Sequence, residues 1–453
     1  GGVRLDCGEV ATALASRRRH ISGVRTVIYS LDNARSLLAI AAILLFCWLL
    51  SENKRRFPFL MALGALAVQA GLVGLLFAFP QMQPALTAVA DSFNGLAAAT
   101  DEGTKFVFSF LGGGDQPYMT ASPDGGAPFI FAFRVLPLIL VISALSALLW
   151  HWGLLKLVIR GFGLLFQKTM GIGGASATAA AANIFMGMVE SPIVIRGYLD
   201  KLTRSEIFMM MVLGLGTVAG STLVAYALFL GPVLPNAAAH VLVASIISAP
   251  ACVLLARIMI PETPGQGGAV ADYTSDLKYQ SSMDAITRGT QDGLQVVLNI
   301  AATLIVFVAL VALANALLGL APDVAGAPLT LQRILGWAFA PLAYAMGISW
   351  ADAQVAGQLL GTKLFLTEFI AFIELSNPDL VISERSRMIM TYAVCGFANV
   401  GSVGIMVAGL TSLFPPDRRG VILDLAWKAL APGFLATMMT ASVVAAMPEA
   451  MFR

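Results

Sequence analysis

Residues 171–198 read GIGGASATAAAANIFMGMVESPIVIRGY, and this stretch decides the architecture. It is apolar enough to enter a bilayer, yet Asn183, Gly187, Glu190 and Pro192 interrupt it. A lipid-facing helix would not hold such groups, because irregular backbone and carboxylates persist at membrane depth only inside protein or beside a water-filled cavity. The stretch therefore reads as a re-entrant hairpin. Residues 334–376 read as a second one: they are apolar on both sides of a polar middle, Gly347 to Gln354, and then carry Lys363, Thr367 and Glu368. Each hairpin is followed by a span interrupted with small and polar residues. Gly216-Thr217-Val218-Ala219-Gly220-Ser221 comes about thirty residues beyond Glu190, and Phe397-Ala398-Asn399-Val400-Gly401-Ser402 comes as far beyond Glu368. Paired interruptions in corresponding positions of two halves point to a transporter's binding site, where unwound backbone coordinates a solute or ion.

The rest of the chain fits that frame. Of its 453 residues 58% are hydrophobic and only 12% charged, where a soluble chain carries about a quarter. Charge is what hydrocarbon excludes, so the shortage argues against a soluble enzyme. Stretches of ~20 apolar residues can span a bilayer. They occur at 57–79, 127–150, 208–230, 236–260, 294–320, 388–414 and 424–447, with a shorter first span at 36–50. Residues 81–102 and 151–168 mix apolar and charged positions as interfacial amphipathic helices do. The polar stretches 112–126 and 261–292 read as loops. Residues 1–35 carry Arg17, Arg18, Arg19 and His20 without an apolar signal core, and read as a poorly ordered leader. A net charge of +2 leaves no footprint for nucleic acid. Cys7, Cys47, Cys252 and Cys395 have no paired spacing, and His20, His151 and His240 form no zinc motif.

Bland alternatives exist for each feature. Gly and Ser pairs are common where membrane helices pack closely, and one buried glutamate can simply pair with a base. Two glutamates, each coupled to a downstream break, favour a site, since carboxylates inside a membrane are functional by default. A membrane-embedded enzyme would need a nucleophile with its base, or a metal cluster. No His or Cys lies near Glu190 or Glu368 in sequence.

Over about residues 104–447 the sequence resembles the concentrative nucleoside transporter family. The resemblance rests on FIFAFRVLP (Phe129 to Pro137), QKTMG (Gln167 to Gly171), AAANIF (Ala180 to Phe185), GTKLFLTEF (Gly361 to Phe369) and CGFANVGSVGI (Cys395 to Ile405). It implies an all-α integral membrane protein with about eight transmembrane helices, two opposed re-entrant hairpins and interfacial helices. An inverted repeat, about 171–260 and 334–447, would build a transport domain moving like an elevator against a scaffold made mainly of 36–150 and 294–320. The expected assembly is a homotrimer, surrounded by lipid in a bacterial inner membrane.

The implied activity is nucleoside import coupled to sodium, with a proton carried by Glu190 as the alternative. A modified nucleoside or another small polar solute is the alternative cargo. The family's first hairpin tip, Gly-Gln-Thr/Ser-Glu, is Gly187-Met188-Val189-Glu190 here, so glycine and glutamate are kept and both polar base readers are replaced. Thr222 falls at a base-facing position. Glu368 matches the residue that takes ribose hydroxyls, with Asn399 and Ser402 as its partners and Phe397 as an aromatic at the substrate. The sodium set would be Asn183, Thr217, Ser221 and the carbonyls of Met186 and Val218. The same side chains could instead serve only to cap the broken helices. Lys363 is expected to snorkel or to pair with a carboxylate.

Overall fold

The computed structural model describes residues 31–117, 130–262 and 277–452. Their regular structure is helical, apart from an isolated bridge between Val324 and Ala327. The described residues open with α1 (Leu31–Leu49), α2 (Phe59–Val73), α3 (Gln83–Phe108), α4 (Leu136–His151) and α5 (Leu154–Met170). A hairpin of α6 (Gly174–Asn183) and α7 (Glu190–Val194) follows, then a broken span of α8 (Arg204–Gly216) and α9 (Gly220–Leu230), then α10 (Ala237–Met259). The long α11 (Ser282–Leu318) leads to the second half. There α12 (Leu331–Ala345) precedes a hairpin of α13 (Trp350–Phe365) and α14 (Glu368–Leu375), a broken span of α15 (Glu384–Val394) and α16 (Val400–Leu413), and α17 (Arg419–Ala446). Hairpin, broken span and closing helix thus occur twice in the same order.

Side chains set many of the boundaries. Thr203 and Glu206 form a reciprocal capping box at the start of α8, and Ser349, Thr367, Ser383 and Asn399 cap α13, α14, α15 and α16. Each supplies an acceptor to an amide that the first helical turn leaves unpaired. Glu206 has a second use, accepting from Ser176 Oγ at 2.7 Å and so tying the first hairpin to its broken span.

Among the described residues seven helices are long and apolar enough to span, or up to eight if the bent pair α12–α13 counts as one. Hydropathy does not say which of them lie inside. The most apolar stretch of α11 is only 6% buried, whereas that of α10 is 89% buried. In lipid both surroundings favour apolar side chains, so only packing separates them. α11 is held against α4 through Gly289 and Gly293, where an added Cβ would lie 2.8 Å from Ala144 Cα and 3.0 Å from Leu140 Cα.

Several boundaries differ from the sequence reading. Residues 31–35 are helix rather than leader: Asn33 donates to the carbonyls of Ala445 and Met447 at 2.8 and 2.7 Å, and Arg35 to those of Tyr344 and Ile348 at 2.7 Å. The remaining leader lies outside the described residues. Residues 282–292, expected as loop, are the first turns of α11, whose Ser281 cap accepts from Asp284 N. The stretch 334–376 is not one hairpin. The polar middle makes a 119° bend at Gly347, φ +94°, between α12 and α13. The turn that matches the first hairpin comes later, at Leu366-Thr367. Two polar segments sit close together in sequence there, and periodicity alone could not say which one was the tip.

The two broken spans meet at their breaks. Phe397 N donates to Thr217 O at 3.2 Å, pairing one unwound segment with the other. Gly216 and Gly396 allow it: a Cβ on Gly396 would lie 3.0 Å from Gly216 O and 2.6 Å from Thr437 Cγ2. Gly396→Ala is therefore expected to destabilise the protein by about 1–3 kcal/mol, the usual cost of overpacking a filled core. Thermal melting in detergent would check it, and an unchanged melting temperature would show that the crossing has slack.

Candidate functional site

Glu368 begins α14, directly after the Thr367 cap. Tyr226 on α9 donates its hydroxyl to Glu368 Oε1 at 2.9 Å, and Asn399 Nδ2 donates to Oε2 at 2.8 Å. Asn399 is itself fixed, since its Oδ1 accepts from Ser402 N at 2.7 Å as the cap of α16. Tyr226 is wedged by rings, stacked on Phe372 at 4.2 Å and edge-on to Phe369 at 5.3 Å. One carboxylate thus joins elements of both halves. Two donors use only part of its acceptor capacity, which leaves lone pairs for a ligand.

Glu190 begins α7 at the tip of the first hairpin. Its carboxylate folds back over Gly187, where any side chain would collide with Glu190 Oε2. Gly220 N donates to Phe185 O at 3.2 Å, docking the tip on the first turn of α9. The side chains of Met188 and Val189 lie against Gly214 and Gly409, whose added Cβ atoms would fall 2.8 Å from them. Among the described residues no basic group lies within 4 Å of Glu190 or Glu368. Among those residues neither acid is half of a structural ion pair.

Both acids line one cavity of about 150 Å³, together with Gly187, Met188, Val189, Thr222, Phe397, Asn399 and Ser402. That is many times the ~10–15 Å³ that one water needs. The space is bounded by both hairpin turns and both helix breaks, with α11 closing the side.

Three stretches of the chain match family models: residues 38–111 the Na+ dependent nucleoside transporter N-terminus, 240–445 its C-terminus, and 132–233 a nucleoside recognition domain described as a gate. The Helicobacter pylori nucleoside permease NupC is 35% identical over 90% of this chain and 96% of its own. The chain belongs to the Na+-dependent nucleoside transporter family. An uncharacterized transporter of Haemophilus influenzae is 36% identical over 90% of this chain and 96% of its own. The structure of CNTnw in an inward-facing substrate-bound state superposes with a TM-score of 0.82 at 33% identity, covering 92% of this chain and 98% of the other. A CNTnw variant in an outward-facing state gives the same TM-score of 0.82. The all-α membrane architecture with paired hairpins is that of this family.

In this transporter the expected ion residues fall into two groups. Asn183 Nδ2 donates to Leu213 O at 2.8 Å and to Thr217 Oγ1 at 2.6 Å, and Asn183 Oδ1 accepts from Ser191 at 2.8 Å. Thr217 Oγ1 donates in turn to Leu213 O at 2.9 Å. Val218 O accepts from Ser245 Oγ at 3.3 Å. Met186 and Ser221 line a smaller neighbouring chamber, shared with Glu190 and Asp292, and Ser221 also lines the main cavity. The Asn183–Thr217 pair therefore does satisfy helix ends, yet each side-chain oxygen keeps a lone pair for a cation.

Some residues escaped the sequence reading. Tyr226 lies one helical turn beyond Thr222, and its hydroxyl in the apolar run Leu223–Leu230 was the available signal. Asn299 and Thr303 bring the polar groups of α11 to the cavity; they too are four apart, on one face. Lys363, expected to snorkel or to pair with a carboxylate, does neither. It is fully buried, and its Nζ donates to Ala393 O at 2.8 Å and Thr437 Oγ1 at 2.5 Å.

Asn399→Asp separates the two tasks of that side chain. The carboxylate can still cap α16, but it now faces Glu368 with like charge. The variant is expected to melt below wild type at mildly alkaline pH, with the gap narrowing in mild acid as one of the two acids takes up a proton. Melting curves across that range would check it, and a pH-independent gap would point to lost packing instead.

Proposed function

We propose that this chain imports nucleosides in symport with sodium, and that the cavity between the hairpins is the substrate site. The Glu368 cluster carries the reading. A carboxylate steadied by Tyr226 and Asn399, with acceptor capacity to spare, suits the two hydroxyls of a ribose. Ser402 lies next to it and Phe397 offers an aromatic face. The lining also includes Met188 and Val189, so a base placed against them meets apolar surface and a soft thioether. Polar groups for its edge come from Thr222, Asn299 and Thr303. Such a wall discriminates weakly among bases, since strong rejection needs buried hydrogen-bonding groups left unpaired by the wrong ligand.

Sodium would be held by oxygens of Asn183, Thr217 and Ser221 with the carbonyls of Met186 and Val218, at the wall between the two chambers. Uncharged oxygens from side chains and unwound backbone suit a hard monovalent cation. The repeated hairpins and broken spans would move together, elevator fashion, against a scaffold that includes α11. The exposed apolar surface of α11 would be covered by lipid and neighbouring protomers in a homotrimer of the inner membrane.

Uptake of labelled uridine and adenosine into proteoliposomes tests the reading. Saturable uptake of both, driven by an inward sodium gradient, is expected. No saturable uptake of either ribonucleoside would reject the substrate assignment, uptake of one alone would reject weak base discrimination, and uptake driven by a pH gradient alone would make Glu190 a proton carrier. Glu368→Gln is expected to lower ribonucleoside uptake roughly 10- to 100-fold, the worth of a charge-assisted hydrogen bond. Normal uptake by that variant would remove ribose from Glu368.

A further inference from the structure

Lys363 is wholly buried in α13, and among the described residues no carboxylate lies within 4 Å of it. Thr437 Oγ1, one of its two partners, donates its own proton to Phe434 O at 2.9 Å. That hydroxyl can therefore only accept from the lysine. The Phe434 ring lies 5.3 Å from Nζ. Carbonyl, hydroxyl lone pair and ring face are all electron-rich, and together they form the surroundings of a cation.

The first half contains the same joint with different chemistry. Asn183 reaches the Leu213 carbonyl 30 residues further on, and Lys363 reaches the Ala393 carbonyl 30 residues further on. The constant shift in residue number that carries Asn183 onto Lys363 also carries Gly216 onto Gly396. It carries the cap Thr203 onto the cap Ser383, and the cap residue Ala219 onto Asn399. Asn183 and Lys363 are therefore counterparts in the repeat. Beside Asn183, the Thr217 hydroxyl adds an oxygen. The counterpart of Thr217 is Phe397, which offers no side-chain ligand and lines the cavity.

We propose that the Lys363 ammonium is a tethered cation, doing in the second half what an exchangeable cation does in the first, so that each transport cycle is coupled to a single free ion. The stoichiometry rests on the ion-coupled reading above; the tethered charge itself does not. On this reading the half holding Glu368 carries its positive charge on the chain itself, while the half holding Glu190 gains and loses one.

The test uses the full chain. In proteoliposomes, wild-type uridine uptake is expected to follow sodium hyperbolically, with a Hill coefficient of about 1, choline replacing sodium throughout. Lys363→Arg is expected to keep measurable uptake, and Lys363→Met, which keeps the bulk and loses the charge, to fall at least about tenfold. In detergent, millimolar methylammonium is expected to raise the melting temperature of Lys363→Ala by several degrees more than that of wild type, with tetramethylammonium, too large for the vacated space, having no such effect. Lys363→Met transporting within about twofold of wild type, or a folded Lys363→Ala indifferent to methylammonium, would overturn the tethered cation. A sigmoidal sodium response would overturn single-ion coupling. Uptake indifferent to sodium would defeat the sodium-coupled reading alone, because the methylammonium arm still decides the charge. Should the Met and Ala variants both fail to fold, a folded, active Lys363→Arg supports the charge, and its failure too would assign Lys363 to shape alone.

Discussion

A helix that stops inside a bilayer leaves amides and carbonyls that lipid cannot satisfy, each at a cost of several kcal/mol. This protein stops two spans there, after Gly216 and after Val394, and the rest of its architecture answers that constraint. The breaks are placed against each other, so that Phe397 N finds Thr217 O. Asn399 caps one resumed helix, and the other resumes beneath the first hairpin's tip through Gly220 and Phe185. Hairpin turns from each half then cover what remains. The cavity is the space these four irregular segments enclose with α11, and acids, amides and hydroxyls from the turns and breaks punctuate a largely apolar lining.

The two acids in that space are held differently. Glu368 is clamped by a phenol and an amide from opposite halves of the chain, in a wall of aromatic rings. Glu190 is folded over Gly187 on the thin partition between two chambers. A clamped acid suits a ligand whose hydroxyls must be oriented, and an acid on a partition suits a charge that comes and goes. The corresponding joints of the two halves mirror the difference, with neutral Asn183 in one and Lys363 in the other.

Much of this was legible in the sequence. Glutamates, glycines and prolines inside apolar stretches have few explanations in a membrane, so the first hairpin, the neighbourhood of the second, both breaks and ten cavity residues could be named from the residues and the family they resemble. What was missed depended on distance in space. Nothing near Tyr226 in sequence reveals that it reaches Glu368, since its partner lies on another element of the other half. The leader boundary was placed at residue 35 because Asn33 and Arg35 look like an aqueous end; carbonyls of α17 and of the α12–α13 bend make them part of the membrane unit. Lys363 looked like a charge in need of a carboxylate, and a carbonyl, a hydroxyl and a ring serve it instead.

By itself, then, the sequence determined that the chain spans a membrane, where its helices break, and which acids are committed to depth, because hydrocarbon tolerates so few exceptions that each one is informative. Only the tertiary structure decided which apolar helices face inward, which of two polar turns in residues 334–376 is the tip, and which donors hold each acid. Those choices are made by contacts between elements far apart in the chain, and composition and spacing carry no record of them.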